Sequence, residues 1–112
     1  MKVADIKPGD VYLMEFGSRH LYLDPTSGST FLGRKLDSTK EFMILEIKKF
    51  QHSEETYSVY AQVIILGEDT FGWVLIESKH HEHVYLHGIA TGKKLKKSSF
   101  LSGWKKIEMA GK

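Results

Sequence analysis

The amino-acid sequence predicts a small all-β domain, and three observations carry this prediction. Apolar and polar residues alternate over several short segments, most regularly over residues 57–65, which is typical of strands with one buried face. Turns rich in Gly, Pro, Asp and Ser separate these segments. With 112 residues, of which 41% are hydrophobic, the chain is predicted to form a single domain, residues 1–112, that buries one core without disulfides.

The first third of the chain predicts two short strands and a long loop. A Pro-Gly-Asp turn precedes residues 11–16, which are apolar-rich and predicted to form a strand. Residues 20–23 form a second candidate strand. Residues 26–40 are rich in Ser, Thr and Gly, so we expect a long loop there, and such loops often carry binding residues.

The centre of the chain predicts a core hairpin and two further strands. Residues 41–51 and 57–65 are the two strands of the hairpin, and both alternate between apolar and polar side chains. Residues 70–77 carry apolar side chains on both faces, as a strand covered on both sides would. Residues 83–90 form another β-like segment. On the first hairpin strand, the residues predicted to share one face are Met43, Leu45 and Ile47.

The C-terminal segment predicts a short helical turn over residues 98–102, followed by a last strand over residues 104–109. Gly103 argues against a longer helix, because glycine inside a helix costs about 1 kcal/mol relative to alanine. Five to seven short strands with a helical turn before the last describe a strongly bent sheet that closes on itself. In this order of elements the chain is similar to SH3-like barrels, of a partly open form, and an OB-like barrel is the alternative. Both folds host many activities, so the fold alone names no function.

The two ends of the chain differ in charge. Residues 79–112 hold eight lysines against two acids, whereas residues 1–78 hold eight basic residues against twelve acids. The formal net charge of +2 therefore conceals about +6 on the last third and about −4 on the rest. Clustered lysines attract phosphates at long range, so this segregation predicts a polyanionic partner.

A lysine-rich surface is the first candidate site. The residues predicted to contact nucleic acid or another polyanion are Lys79, Lys93, Lys94, Lys96, Lys97, Lys105 and Lys106, with Arg34 and Lys35 adding contacts from the long loop. Lysine binds phosphates without reading sequence, so weak or non-specific binding is expected. The structural alternative is a solvated lysine-rich hairpin that keeps sheet edges from pairing.

Exposed aromatic residues beside these lysines would supply stacking platforms for bases. The aromatic residues that the pattern does not place in the core are Tyr12, Tyr22, Tyr60, Tyr85 and Trp104. Tyr57, Phe71 and Trp73 are predicted to lie in the core, where a domain of this size needs aromatic packing.

A histidine cluster is the second candidate site. His81, His83 and His87 are predicted to point to one side of a strand, and three imidazoles so placed would hold zinc with an open position. The alternative is a plain polar turn, since no second pair of spaced ligands and no cysteine occurs. No other cofactor is indicated. Catalytic motifs such as Gly-x-Ser-x-Gly are also absent, which favours a protein that is not an enzyme.

Three functional hypotheses follow from the sequence. The first is a small non-enzymatic protein that binds nucleic acid or a nucleoprotein complex. The second is a protein-interaction module or inhibitor of the phage or mobile-element type, docking onto an acidic protein surface. The third is a metal-binding protein built on the histidines. Because the chain has no cysteine and no long apolar run, we expect a cytoplasmic protein with no disulfide-linked partner and no membrane contact.

Overall fold

The computed structural model describes residues 1–25 and 31–108 of the chain. Over these two ranges a 3-10 helix, Val3–Asp5, and eight strands form, without an α-helix. The strands are β1 (Val11–Met14), β2 (Arg19–Tyr22), β3 (Phe31–Leu36), β4 (Glu41–Gln51), β5 (Tyr57–Ile65), β6 (Thr70–Leu86), β7 (Ile89–Ser99) and β8 (Trp104–Ile107). The predicted all-β class is therefore confirmed.

The eight strands pair antiparallel in one sheet. Its order is β3-β2-β6-β5-β4-β1-β8, and β7 pairs with β6 outside this path. The sheet curls into an open half-barrel, as the prediction of a partly open barrel required. β6 is the longest strand, and it pairs with β5 from Thr70 to Lys79 and with β7 from Glu77 to Leu86.

The core is built around three contacting aromatic rings. The rings of Phe42 on β4 and Trp104 on β8 meet edge to face with centroids 5.0 Å apart, and the Tyr12 ring on β1 lies 5.5 Å from that of Trp104. The other strands that bury hydrophobic residues contribute Leu21, Leu36, Ala61, Val63, Ile65, Val74 and Ile76. Among the described strands only β7 buries none, so backbone pairing with β6, not the core, holds it in place.

Gly72 allows β2 to approach β6 closely. A Cβ atom at this position would lie 2.8 Å from the Leu21 Cβ, a distance that side chains do not reach without displacement. Leu21 is fully buried, so it has no free space to move into. The join between the β2–β3 pair and the rest of the sheet therefore depends on a glycine on β6.

The central hairpin confirms two predicted strands and corrects one predicted face. β4 and β5 form where alternation predicted them, and Val59, Ala61, Val63 and Ile65 of β5 are buried. On β4 the buried residues are Phe42 and Ile44 instead of Met43 and Leu45. The pairing shifts register between Ile44 and Glu46, which leaves Leu45 as a bulge. A bulge reverses the alternation, so Ile47 still packs against the core.

The long loop predicted over residues 26–40 is wrong for residues 31–36, whereas residues 37–40 do form a turn between β3 and β4. Residues 31–36 form β3, which pairs with β2 through Arg19 opposite Leu36 and His20 opposite Lys35. Residues 26–30 of the predicted loop lie outside the described residues. Leu36 is completely buried, so this apolar position belongs to a strand that packs against the core.

The segment before the last strand is a turn and not the predicted helical turn. Residues 98 and 99 continue β7, and the chain reverses where the Trp104 amide donates to the Leu101 carbonyl at 3.1 Å. Gly103 occupies the third position of this turn with φ +86°, as a type II turn requires. β8 then begins at the predicted residue, and the described strands number eight instead of five to seven.

Candidate functional site

β6 and β7 extend beyond the rest of the sheet as a two-stranded ribbon. β5 stops pairing with β6 at Lys79, whereas the β6–β7 pairs continue to Leu86 and Ile89. We call residues 79–97 the basic ribbon. Seven residues beyond Lys79 span about 24 Å at strand spacing, which accounts for the elongated molecular dimensions of 55 × 26 × 25 Å.

A tight turn at His87 and Gly88 closes the ribbon. Their φ angles are 51° and 80°, and positive φ at both central residues is typical of the type I′ turn that suits a twisted hairpin. The extra residue Thr91 bulges out of β7, and its Oγ1 donates a hydrogen bond to the Val84 carbonyl at 3.1 Å. The sequence pattern did not predict this turn, since it treated residues 83–90 as one strand.

Cross-strand pairing sorts the ribbon side chains onto two faces, because directly opposite residues in antiparallel strands point to the same side. One face carries the pairs Lys79 with Lys97, His81 with Leu95, and His83 with Lys93; the other carries His80 with Lys96 and Glu82 with Lys94. Four of the five lysines lie on β7. Positive charge therefore follows β7 on both faces of the ribbon.

Two of the ribbon lysines have carboxylate partners. The Lys96 Nζ lies 3.5 Å from Glu82 Oε1, and the Lys97 Nζ lies 3.6 Å from Glu77 Oε1. The lysine side chains of these pairs are 51% and 63% exposed. Exposed ion pairs contribute only about 0–1 kcal/mol, so a phosphate would compete with either carboxylate.

The other three ribbon lysines have no acidic partner among the described residues. Within residues 1–25 and 31–108, no carboxylate lies at ion-pair distance from Lys79, Lys93 or Lys94. Lys93 and Lys94 are exposed and Lys79 is half-buried. Since Glu82 is the only acid between residues 79 and 97, the basic ribbon has a net charge of +4 with neutral histidines.

A network of side chains fixes the base of the ribbon. The Tyr57 hydroxyl on β5 donates to Glu77 Oε2 at 3.0 Å, and the other oxygen of Glu77 faces Lys97. The Lys49 Nζ lies 4.2 Å from the Tyr57 ring centroid, a cation–π distance. Burial raises the pKa of the Tyr57 hydroxyl, and the Glu77 hydrogen bond raises it further. The hydroxyl therefore stays a donor at neutral pH and holds the carboxylate toward the ribbon.

Four large apolar side chains lie exposed at the tip of the ribbon. Tyr85, Leu86 and Ile89 are 62%, 60% and 69% exposed, and Val84 beside them is 37% exposed. We call Tyr85, Leu86 and Ile89 the apolar tip. Sequence reasoning missed it, although apolar residues on both sides of a His-Gly dipeptide would have indicated a hairpin end.

The remaining residues of the predicted lysine surface lie elsewhere on the sheet. Lys105 and Lys106 are exposed on β8, an edge strand, and Lys106 pairs with Asp10 at 3.6 Å. Arg34 and Lys35 are on β3, the opposite edge strand, and Arg34 pairs with Glu68 at 3.6 Å. The structure thus gathers Lys79, Lys93, Lys94, Lys96 and Lys97 on one ribbon and places the other four residues on two other strands.

The predicted histidine cluster does not converge. His81 and His83 share one ribbon face, whereas His87 lies in the turn with φ 51°, so the expected strand alternation does not reach it. The His81 Nε2 lies 3.8 Å from Glu55 Oε2. In the described ranges, no three His, Asp or Glu side chains come close enough together to hold a metal ion. The structure thus places His81 and His83 on one face of the ribbon and does not bring His87 together with them.

The aromatic candidates divide into core and surface residues. Tyr12 and Trp104 are buried, so they are not stacking platforms, while Tyr22 and Tyr60 are half-buried with ring centroids 6.0 Å apart. Phe71, predicted to be core, is 53% exposed. Tyr85 is the predicted platform residue that belongs to the basic ribbon, where its ring lies 6.1 Å from that of His83.

No protein-family model, no curated protein and no solved structure matches this chain. The described residues also include no helix that is long and apolar enough to cross a membrane. Function must therefore be argued from the ribbon itself. The non-enzymatic role, the cytoplasmic location and the phage-type interaction module stay predictions.

Proposed function

We propose that this protein binds nucleic acid without catalysis, through contacts between the lysines of the basic ribbon and backbone phosphates. The observation that carries the proposal is the placement of five lysines and one acid on a two-stranded ribbon that begins where β5 stops pairing with β6. A projecting ribbon is accessible from both faces, so a phosphate backbone would reach lysines on either side. The major groove of B-form DNA admits a two-stranded β-ribbon.

The chemistry of the ribbon favours binding that does not depend on base sequence. Lysine is a compact point charge that attracts phosphate, whereas the rigid fork of arginine is better suited to bidentate recognition of guanine. Neither arginine lies in the basic ribbon. Arg19, on β2, contacts the Phe100 ring at 5.6 Å and donates to the Phe100 carbonyl at 3.4 Å. We therefore expect similar affinity for unrelated sequences.

The salt dependence of binding tests this proposal quantitatively. Each phosphate contact contributes about 0.9 to the slope of log affinity against log salt, so the three unpaired lysines predict a slope of about −2.7. The slope would reach about −4.5 if Lys96 and Lys97 exchange their carboxylates for phosphates. Fluorescence anisotropy with a random-sequence duplex at several salt concentrations measures it.

A matched pair of variants separates the ribbon from general charge. Lys93→Gln with Lys94→Gln removes two adjacent ribbon lysines, and we expect the slope to become shallower by about 1.8. Lys105→Gln with Lys106→Gln removes the same charge from β8, where we expect little change. Equal losses from the two variants would contradict a ribbon site. Failure of the wild-type protein to bind duplex at about 50 mM salt would overturn nucleic-acid binding.

A further inference from the structure

The apolar tip is the end of the basic ribbon, and no other strand of residues 1–25 and 31–108 pairs with it. The side chains of Leu86 and Ile89 are paired across the hairpin and are 60% and 69% exposed, while Tyr85 is 62% exposed on the other face. Lys93 and Lys94 follow within a few residues on β7. A duplex held by the lysines would therefore meet the apolar tip as well.

We propose that the apolar tip inserts between adjacent base pairs from the minor groove of duplex DNA and bends the duplex. This inference rests on the proposed function. Apolar side chains that enter the minor groove act as wedges, since Leu, Ile and aromatic residues partly unstack a base step and kink the helix. The tip has the required chemistry, and the lysines next to it supply phosphate contacts on both faces of the ribbon.

The side chains of the ribbon favour the minor groove over the major groove. Reading the major groove requires donors and acceptors matched to base edges, and the commonest pairings use Arg or Lys on guanine and Asn or Gln on adenine. Of these four residue types, residues 79–97 contain only lysine. A minor-groove wedge needs no such readout, because its apolar side chains enter a base step without hydrogen bonds to base edges.

The distribution of lysines favours a duplex over a lipid surface. Lys93 and Lys97 are four residues apart, so the positive charge extends about 13 Å along the strand and away from the tip. Lipid headgroups form a layer, and a ribbon with only its tip in that layer would keep the distal lysines out of reach. Phosphates of a duplex continue along the ribbon and reach lysines at both positions.

The test combines a bending assay with a tip variant. A short duplex labelled at both ends with a donor and an acceptor dye reports bending as increased energy transfer, and a 2-aminopurine at the centre reports unstacking as increased fluorescence. We expect both signals to rise with wild-type protein. For Leu86→Ala with Ile89→Ala, we expect both signals to be lost and the affinity to fall about tenfold, because apolar contact area is removed. The salt slope should stay unchanged, since every lysine remains.

Two controls make the result specific. Leu23→Ala alters a leucine that is also 60% exposed but lies outside the ribbon, and it should bind and bend as wild type does. Lys93→Gln with Lys94→Gln should make the salt slope shallower yet still bend the duplex at saturating protein. Circular dichroism of each variant confirms that the sheet is intact.

The outcomes separate this inference from the proposed function. Duplex binding with the expected salt slope but without bending or unstacking would overturn the wedge and leave the ribbon site standing. Absence of duplex binding would overturn both. Vesicles rich in phosphatidylserine provide the competing surface, and tip-dependent binding to vesicles without duplex bending would likewise refute the wedge.

Discussion

Removing the one acid of the basic ribbon should strengthen nucleic-acid binding. Glu82 lies opposite Lys94 in the register, and its Oε1 is 3.5 Å from the Lys96 Nζ. In Glu82→Gln the ribbon charge changes from +4 to +5 and Lys96 loses its carboxylate partner. Few single substitutions are expected to improve the function of a protein, so a gain is a stringent test of where phosphates bind.

The size of this gain follows from the charges. One lysine added to three unpaired ones changes the expected salt slope from about −2.7 to about −3.6. Between about 50 and 200 mM salt, the loss of affinity should therefore rise from about 40-fold to about 150-fold. At the lower salt concentration, removing the negative charge of Glu82 from a position about 4 Å from a phosphate should strengthen binding by about 1 kcal/mol in water. This corresponds to about a fivefold gain in affinity.

Anisotropy titrations of wild type, Glu82→Gln and a control variant measure both quantities. Glu46→Gln is the matched control, because Glu46 is 48% exposed and lies 3.9 Å from Lys48 on β4, whereas Glu82 is 40% exposed. We expect the control to raise affinity far less. If both variants gain equally, net charge alone governs binding; if Glu82→Gln gains nothing, phosphates do not approach this part of β7, and the reasoning is refuted.

Two further predictions concern stability. Burial is the larger cause and the nearby Asp10 carboxylate the smaller one, and together they raise the pKa of Tyr12 to about 12. Because tyrosine in the unfolded chain deprotonates near pH 10, the folded state should lose roughly 2–3 kcal/mol of stability as pH rises from about 10 toward about 12. Urea unfolding at neutral and alkaline pH should show a smaller loss for Tyr12→Phe, and an unchanged loss would assign the effect to other groups. Gly103→Ala should destabilise the fold by roughly 1–3 kcal/mol, because φ is +86° and the new Cβ would lie 2.7 Å from the Phe16 carbonyl oxygen. Thermal unfolding measures this loss. The control variant Gly92→Ala should show little change, because nothing lies within 4 Å of the added Cβ.

Local patterns in the sequence were sufficient to predict the strands that build the core. β4 and β5 form within the predicted bounds, because one side of each strand faces the core and alternation records that burial. Alternation gives the wrong buried face on β4, because Leu45 is a bulged residue that exchanges the two faces of the strand. Nothing in the sequence around Leu45 indicates this bulge. Alternation thus predicts that a strand exists more securely than it predicts which side is buried.

Elements that depend on distant partners were harder to predict. β3 is short and polar at Arg34 and Lys35, and pairing with β2 and the burial of Leu36 make it a strand. The end of the ribbon was also hidden, because His87 occupies a turn position with positive φ that is more often held by Asn, Asp or Gly. The charge segregation, in contrast, is visible in the sequence without knowledge of the fold. Five of the seven predicted C-terminal lysines lie together on the ribbon.

The fold and the candidate site have one common cause, which is the unequal length of neighbouring strands. β6 has 17 residues and β5 has nine, so the last part of β6 has no partner on the β5 side. Beyond Lys79, β6 and β7 pair only with each other among the described strands, and nearly all their side chains are exposed on both faces. Buried charge is costly, so a run of lysines is compatible only with a segment outside the core. An uncovered two-stranded segment satisfies that condition on both faces, and it also presents those lysines at a distance from the acidic body. Shortening the ribbon from its tip by whole cross-strand pairs should therefore reduce nucleic-acid binding in steps while the core, to which β7 contributes no buried residue, keeps its stability.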